Sequence, residues 1–130
     1  MNLSDIQKLI YERMSQLRYP VLDSYSLYDE AEPPYIILSD LELIENNTKT
    51  TNGIVAQQYI SIHSTYKGKK EILDIIQEVS EVMNFNIDSI YTKQGKTTIM
   101  SDSDNKGLFA SDKKYDKSYH AVMIFKIYIN

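Results

Sequence analysis

The sequence is organised around residues 54–84, which run IVAQQYISIHSTYKGKKEILDIIQEVSEVMN. The first part alternates apolar and polar side chains at period two, which places Ala56, Ile60 and Ile62 on one face of a predicted strand. After Gly68, apolar residues recur at spacings of three and four opposite a row of acidic residues, which predicts an amphipathic helix. The apolar helix positions are Ile72, Ile75, Ile76, Val79, Val82 and Met83. We therefore expect an α+β core in which this helix covers the strand.

Length and composition are those of one folded domain. The chain has 130 residues, of which 42% are hydrophobic and 25% are charged, and both fractions are ordinary for a globular protein. We expect a single α+β domain over residues 1–130, because a chain of this length rarely holds two cores. The sequence contains no cysteine, which excludes disulfides, thiolate metal sites and a cysteine nucleophile.

The charge balance argues against general nucleic-acid binding. The formal net charge is -4 and the pI is about 5.1, whereas a nucleic-acid binder needs a basic surface that displaces counterions from phosphates. The first residues, Met-Asn-Leu-Ser-Asp, lack a basic stretch followed by an apolar run, and no segment approaches 18 apolar residues. We expect a protein that is made and kept in a cytoplasm and does not enter a membrane.

Three elements are predicted before the central strand. Ser4 and Gln7 have the spacing of a capping box, which predicts that a helix begins at about Asp5. Its buried stripe is predicted to contain Ile6, Leu9, Ile10, Met14 and Leu17. Residues 21–28 predict a short edge strand, and residues 35–44, after a Pro-Pro pair, predict a strand that pairs antiparallel with the central one.

The C-terminal part of the sequence predicts further strands. Residues 85–91 and 96–101 predict two short strands around Gln94-Gly95, and residues 102–117 indicate a long polar loop. Residues 118–129 alternate most clearly, and since both faces are half apolar we expect an interior strand or a subunit contact. The expected fold class is α+β, with a mostly antiparallel sheet of about four to six strands and two helices packed on it.

Two familiar ligand motifs are incomplete in this sequence. Gly95-Lys96-Thr97 ends like a phosphate-binding loop, but the motif needs a glycine where Ile90 stands. Residues 102–107 begin like a calcium loop, but Lys113 stands where a bidentate glutamate is required. A solvated acidic loop is therefore the favoured interpretation.

The two histidines are the remaining candidates for a metal site. His63 and His120 lie on two predicted strands and could meet, yet two imidazoles without a placed carboxylate make a weak site. The favoured interpretation is that both are strand-face residues paired to backbone or water. No set of nucleophile, base and orienting residue can be assembled. We therefore expect no catalytic residues, no metal, no cofactor and no enzyme activity.

Two sets of residues are candidates for contacts with partners. One is the acidic side of the second helix, and the other is Leu108-Phe109, a pair of large apolar residues inside the polar loop. The acidic residues are Glu71, Asp74, Glu78 and Glu81. Each set also has a local interpretation: the acidic residues form a solvated helix face, and the apolar pair belongs to the protein's own core.

The order of these elements resembles the tail completion family of long-tailed bacteriophages, the tail terminator or head-to-tail joining proteins of phages and prophages. The stretches that carry the resemblance are EPPYIIL (32–38), QYISIHSTYKGKKE (58–71) and HAVMIFKI (120–127). The resemblance covers nearly the whole chain. Residues 85–103 depart from the family pattern, because they are longer and more polar than the family leads us to expect.

The resemblance implies a structural protein of the virion that forms a homo-oligomeric ring, thought of as a hexamer. Such a ring caps the head-proximal end of the tail tube and joins it to the head connector or stopper protein. Its implied partners are therefore further copies of itself, the tail tube protein and the connector, with assembly in the host cytoplasm. DNA passes through the ring without specific binding.

Two other functions stay open at the level of sequence. The first is a small non-enzymatic binding module or regulator of one protein partner, and the second is a metal-dependent enzyme that uses His63 and His120. Eleven tyrosines and no tryptophan suit a contact surface, but a monomeric binding module shares that feature. Ring formation, a stable monomer and bound metal would distinguish the three.

Overall fold

A computed structural model of the chain describes residues 3–23, 33–44, 53–64, 68–101 and 118–129, which contain two helices and six strands. In chain order these are α1 (Leu3–Met14), β1 (Val21–Leu22), β2 (Tyr35–Ile44), β3 (Ile54–Ser64), α2 (Lys70–Val82), β4 (Asn86–Ile87), β5 (Ile90–Ser101) and β6 (Tyr119–Ile129). The strands form one sheet in the order β1-β2-β3-β6-β5-β4. Only β1 and β2 pair in parallel. The predicted α+β class is confirmed.

Both helices contribute to one hydrophobic core on one face of the sheet. Ile6, Ile10 and Met14 of α1 join the alternate residues of β3 and β6 that point to this face. The strand residues in the core are Ala56, Ile60, Ile62, Ala121, Met123, Phe125, Ile127 and Ile129. Removing one isoleucine side chain of this kind from water contributes about 2 kcal/mol. The strand β6 is thus an interior strand of the sheet, which is one of the two alternatives that its sequence pattern indicated.

The buried side of α2 is rotated slightly around the helix axis relative to the predicted apolar stripe. Ile72, Ile75 and Val79 are fully buried, whereas Ile76 is half-buried and packs at the border of the core. At 3.6 residues per turn, Ile75 and Ile76 lie about 100° apart around the axis, on opposite sides of the line through Ile72 and Val79, so sequence spacing alone could not choose between them.

The helix α1 begins two residues earlier than the capping box predicted. It starts at Leu3, so Ser4 lies inside the helix and does not stand at its N-cap. At the other end, Arg13 Nε donates a hydrogen bond to the carbonyl oxygen of Val82 at 2.9 Å. This bond satisfies a carbonyl at the C-terminus of α2 and places a positive charge at the negative end of that helix.

The prediction of two short strands around Gln94-Gly95 was wrong. The chain instead turns at Asp88, which adopts the left-handed region with φ 53°, and then runs as one strand, β5, through Gly95. Asp tolerates this region better than most residues. Gly95 lies in a bulge of β5 between Gln94 and Thr97, where a Cβ would come within 3.2 Å of the Ile124 carbonyl oxygen. The glycine therefore permits close packing of two strands and not a turn.

Candidate interaction surfaces

The sheet has a second face, directed away from α1 and α2, which we call the far face. Its central residues alternate with the core residues of β3 and β6. They are Val55, Gln57, Tyr59, Ser61 and His63 on β3, and His120, Val122, Ile124, Lys126 and Tyr128 on β6. Most of these side chains are half-buried. The far face thus combines aromatic, aliphatic and polar groups, a mixture that is common at protein interfaces.

At one end of the far face, the two histidines meet. His63 and His120 are directly opposite each other on β3 and β6, and their rings stack with centroids 5.6 Å apart. Tyr35 of β2 stacks on the other side of His63 at 4.9 Å. The sequence predicted that the two histidines could meet. The position of Tyr35 beside them follows from the strand order, which the sequence did not show. The three rings form a row of stacked aromatic side chains across three strands.

At the opposite end, a second aromatic pair spans β5 and β6. The rings of Tyr91 and Tyr128 stack with centroids 4.7 Å apart, and the Lys93 ammonium lies 6.0 Å from the Tyr128 ring. Nearby, Gln57 Nε2 donates to the Tyr59 hydroxyl at 2.8 Å, and that hydroxyl donates to a Glu42 carboxylate oxygen at 3.4 Å. The sequence did not predict this group, although Tyr59, Tyr91 and Tyr128 all lie in predicted strands.

The acidic residues predicted to contact a partner are partly engaged within the chain. Ser64 Oγ donates to Glu71 Oε1 at 2.6 Å, and the Tyr19 hydroxyl donates to Glu78 Oε2. Asp74 and Glu81 are exposed, and Gln77 Nε2 donates to Glu81 Oε1 at 3.2 Å, one turn along the helix. The structure therefore presents Asp74 and Glu81 on the outer side of α2, while Glu71 and Glu78 also hold neighbouring segments.

Tyr19 links the end of the α1 segment to α2. Burial of the phenol raises the pKa of Tyr19 above its ordinary value, and its hydrogen bond to Glu78 acts in the same direction. Arg18 lies beside this pair, with Nε 4.0 Å from Glu78 Oε1. This ion pair is largely exposed and contributes little. The hydrogen bond from the neutral phenol therefore holds the Glu78 side chain more strongly than the ion pair does.

The second predicted contact, Leu108-Phe109, lies outside the described residues, so its role stays a prediction. Among the residues that are described, no group of three or more His, Asp or Glu side chains could hold a metal ion. Within the same residues, no helix is long and apolar enough to cross a membrane. Every buried side-chain nitrogen and oxygen of the described part has a hydrogen-bond partner.

The fold defines a class of small α+β domains in which two helices cover one face of a mostly antiparallel six-stranded sheet. A solved structure entitled "Virion of native gene transfer agent (GTA) particle" contains a chain of similar fold, with a TM-score of 0.62 and 12% sequence identity. The similarity covers 92% of this chain and 90% of that chain. No protein-family model and no curated protein matches the sequence. At this identity, the likeness establishes a shared fold.

Proposed function

We propose that the protein is a structural component of a phage-like virion and not an enzyme. The observation that carries this proposal is the extent of the similarity to the gene transfer agent chain, which spans nine tenths of both chains. A similarity of that extent covers nearly the whole of both chains and is not confined to a common local motif. The far face adds support, because its half-buried aromatic and aliphatic side chains suit contact with another protein.

Within that class, we propose the more specific role of tail terminator or tail completion protein. The support is the sequence resemblance, whose three stretches fall on adjoining parts of the fold: the start of β2, the end of β3 with the start of α2, and β6. In this role the protein forms a ring at the head-proximal end of the tail, bound to the tail tube on one side and to the head connector or stopper on the other.

A binding module that recognises one protein partner is the second candidate. The far face favours it as well, because a mixed aromatic surface of this kind can accept one partner as readily as another copy. The two candidates differ in assembly state, since a ring requires contacts between copies and a binding module does not.

The purified protein is expected to form a ring in solution. Six copies of a chain of 15.1 kDa give a particle of about 91 kDa, and association by mass action increases with concentration. Native mass spectrometry and light scattering over a concentration series measure this directly, with tail tubes of the same phage added in a parallel series. A protein that stays monomeric in every series, and binds no tube, contradicts the terminator role and favours the binding module.

The proposed ring is also expected not to retain DNA. The 14 basic residues of the protein are outnumbered by 18 acidic ones, which gives a net charge of -4, and a net negative protein does not displace the counterions of a phosphate backbone, so a genome can pass without binding. A gel-shift series at low ionic strength should show no retarded band, with a basic DNA-binding protein as the positive control. Tight binding that weakens steeply with salt would contradict this expectation and indicate a nucleic-acid function.

A further inference from the structure

Among the residues that the structure describes, each outer edge of the sheet is covered by a short strand at one end, and the two covered ends are opposite. On one side, β1 pairs with β2 at Ile36 and Ile37 alone. On the other side, β4 pairs with β5 at Ile90 and Tyr91 alone. Within the described part of the chain, residues 40–44 of β2 and residues 93–100 of β5 therefore pair with a strand on one side only. An open strand edge presents backbone donors and acceptors that can pair with another strand.

These two open segments overlap across the sheet, where residues 40–42 of β2 lie on the same transverse rows as residues 93–96 of β5. The strand pairing runs from Glu42 to Gln57, from Gln57 to Lys126, and from Lys126 to Lys93, so Glu42 and Lys93 are the two ends of one transverse row. Each outer strand also has one extra residue at a matching level. The bulge of β2 lies opposite Tyr59 and that of β5 opposite Ile124, and those two residues are themselves paired.

The two edges carry opposite charges. Asp40 and Glu42 on the β2 edge are exposed, and so are Lys93 and Lys96 on the β5 edge. Like charges across a strand pair destabilise it, whereas opposite charges stabilise it. A charged edge with a bulge resists pairing with an arbitrary strand. Such an edge can accept a partner edge that carries the opposite charge and has its bulge in the matching position.

The strand directions are also suitable. The four long strands, β2, β3, β6 and β5, are antiparallel to their neighbours throughout, and because their number is even, the two edges run in opposite directions. A second copy in the same orientation would therefore place its β2 antiparallel to β5 of the first, with both sets of helices on the same side of the extended sheet.

We propose that copies of this chain associate edge to edge, with the open part of β5 in one copy paired to the open part of β2 in the next. The contact joins two different surfaces, so it repeats around an axis and closes as a ring when the rotation permits. Lys93 and Lys96 of one copy then face Asp40 and Glu42 of the next. The inference rests on the proposed ring and names the surfaces that build it.

Charge reversal tests the pairing. The variant with Lys93→Glu and Lys96→Glu should remain monomeric at concentrations where the wild type forms rings, and so should the variant with Asp40→Lys and Glu42→Lys. An equimolar mixture of the two should restore rings, because each reversed edge then meets an edge of opposite charge. Lys8→Glu with Lys69→Glu, at two exposed positions away from both edges, is the matched control and should assemble normally. Rings formed by either reversed variant alone would overturn the proposal.

Cross-linking tests the register. Because the protein has no native cysteine, disulfides can form only between the introduced cysteines. Glu42→Cys and Lys93→Cys should form disulfide-linked dimers when the two proteins are mixed under oxidising conditions, and the double variant should form a ladder of linked multimers. A bond within one copy is excluded, because the positions are three interstrand spacings apart, roughly 14 Å, whereas a disulfide needs Cα atoms within about 7 Å.

The outcomes separate this inference from the proposed function. Rings of the expected mass without cross-links overturn the edge pairing and leave the ring role intact. Cross-links in either single variant alone overturn it too, because they indicate a symmetric contact between identical edges. If the wild type forms no ring with or without tail tubes, the proposed function fails and the edge pairing fails with it.

Discussion

Ile75→Asp is expected to leave the protein unfolded. Ile75 is completely buried and belongs to the hydrophobic core cluster, whose apolar side chains offer an aspartate no partner. Burying an unpaired carboxylate costs on the order of 4 kcal/mol or more, a large part of the roughly 5–15 kcal/mol by which a domain is stable. Urea titration followed by circular dichroism should show little or no folded baseline.

Two positions on the same helix serve as controls. Ile76→Asp should lower the free energy of unfolding by a smaller amount, because the side chain is half-buried and its carboxylate can reach water. Leu73→Asp should have almost no effect, since Leu73 is 48% exposed. A protein with Ile75→Asp that unfolds at the same urea concentration as the wild type would contradict the core described above.

Gln58→Leu is expected to lower the free energy of unfolding by about 2 kcal/mol, although leucine is apolar and similar in size. Gln58 is 3% exposed and lies on the core side of β3. Its Nε2 contacts the carbonyl oxygens of Ser39 at 3.2 Å, Asp40 at 3.3 Å and Tyr59 at 2.8 Å. These hydrogen bonds are part-buried, and leaving a carbonyl group without its donor away from water typically costs about 1–3 kcal/mol, which outweighs the gain from an added apolar side chain.

The same change tests the shape of the β2 edge. Ser39 and Asp40 are the residues at the bulge of β2, so Gln58 holds the bulge from the neighbouring strand. Gln57→Leu, one residue earlier on the far face, is the matched control and should lower the free energy of unfolding by less, because Gln57 is half-buried and loses one hydrogen bond, to the Tyr59 hydroxyl. Urea unfolding and amide hydrogen exchange of β2 measure both effects. Unchanged stability together with unchanged exchange in the Gln58 variant would contradict a structural role for the amide.

Local periodicity explains why much of the core was predictable. The spacing of Ile72, Val79 and Met83 predicts one buried side of a helix, and the alternation along β3 predicts one apolar strand face, because side-chain direction follows backbone geometry within each element. The choice of Ile75 over Ile76 depended on how the helix axis settles against the sheet. Likewise, Gly95 could be a turn or a bulge until β6 was placed beside it.

By itself, the sequence determined the fold class, the two helices, the strands β2, β3 and β6, and the apolar face of β3, since these follow from patterns between residues close in the chain. Apart from the predicted pairing of β2 with β3, only the tertiary structure decided which strands are neighbours, and it decided every register, because strand pairing joins segments that are distant in sequence. That pairing brings Tyr35 to the two histidines and sets Glu42 and Lys93 at the ends of one row. The candidate contact surfaces are products of this register and could not be derived from composition or spacing.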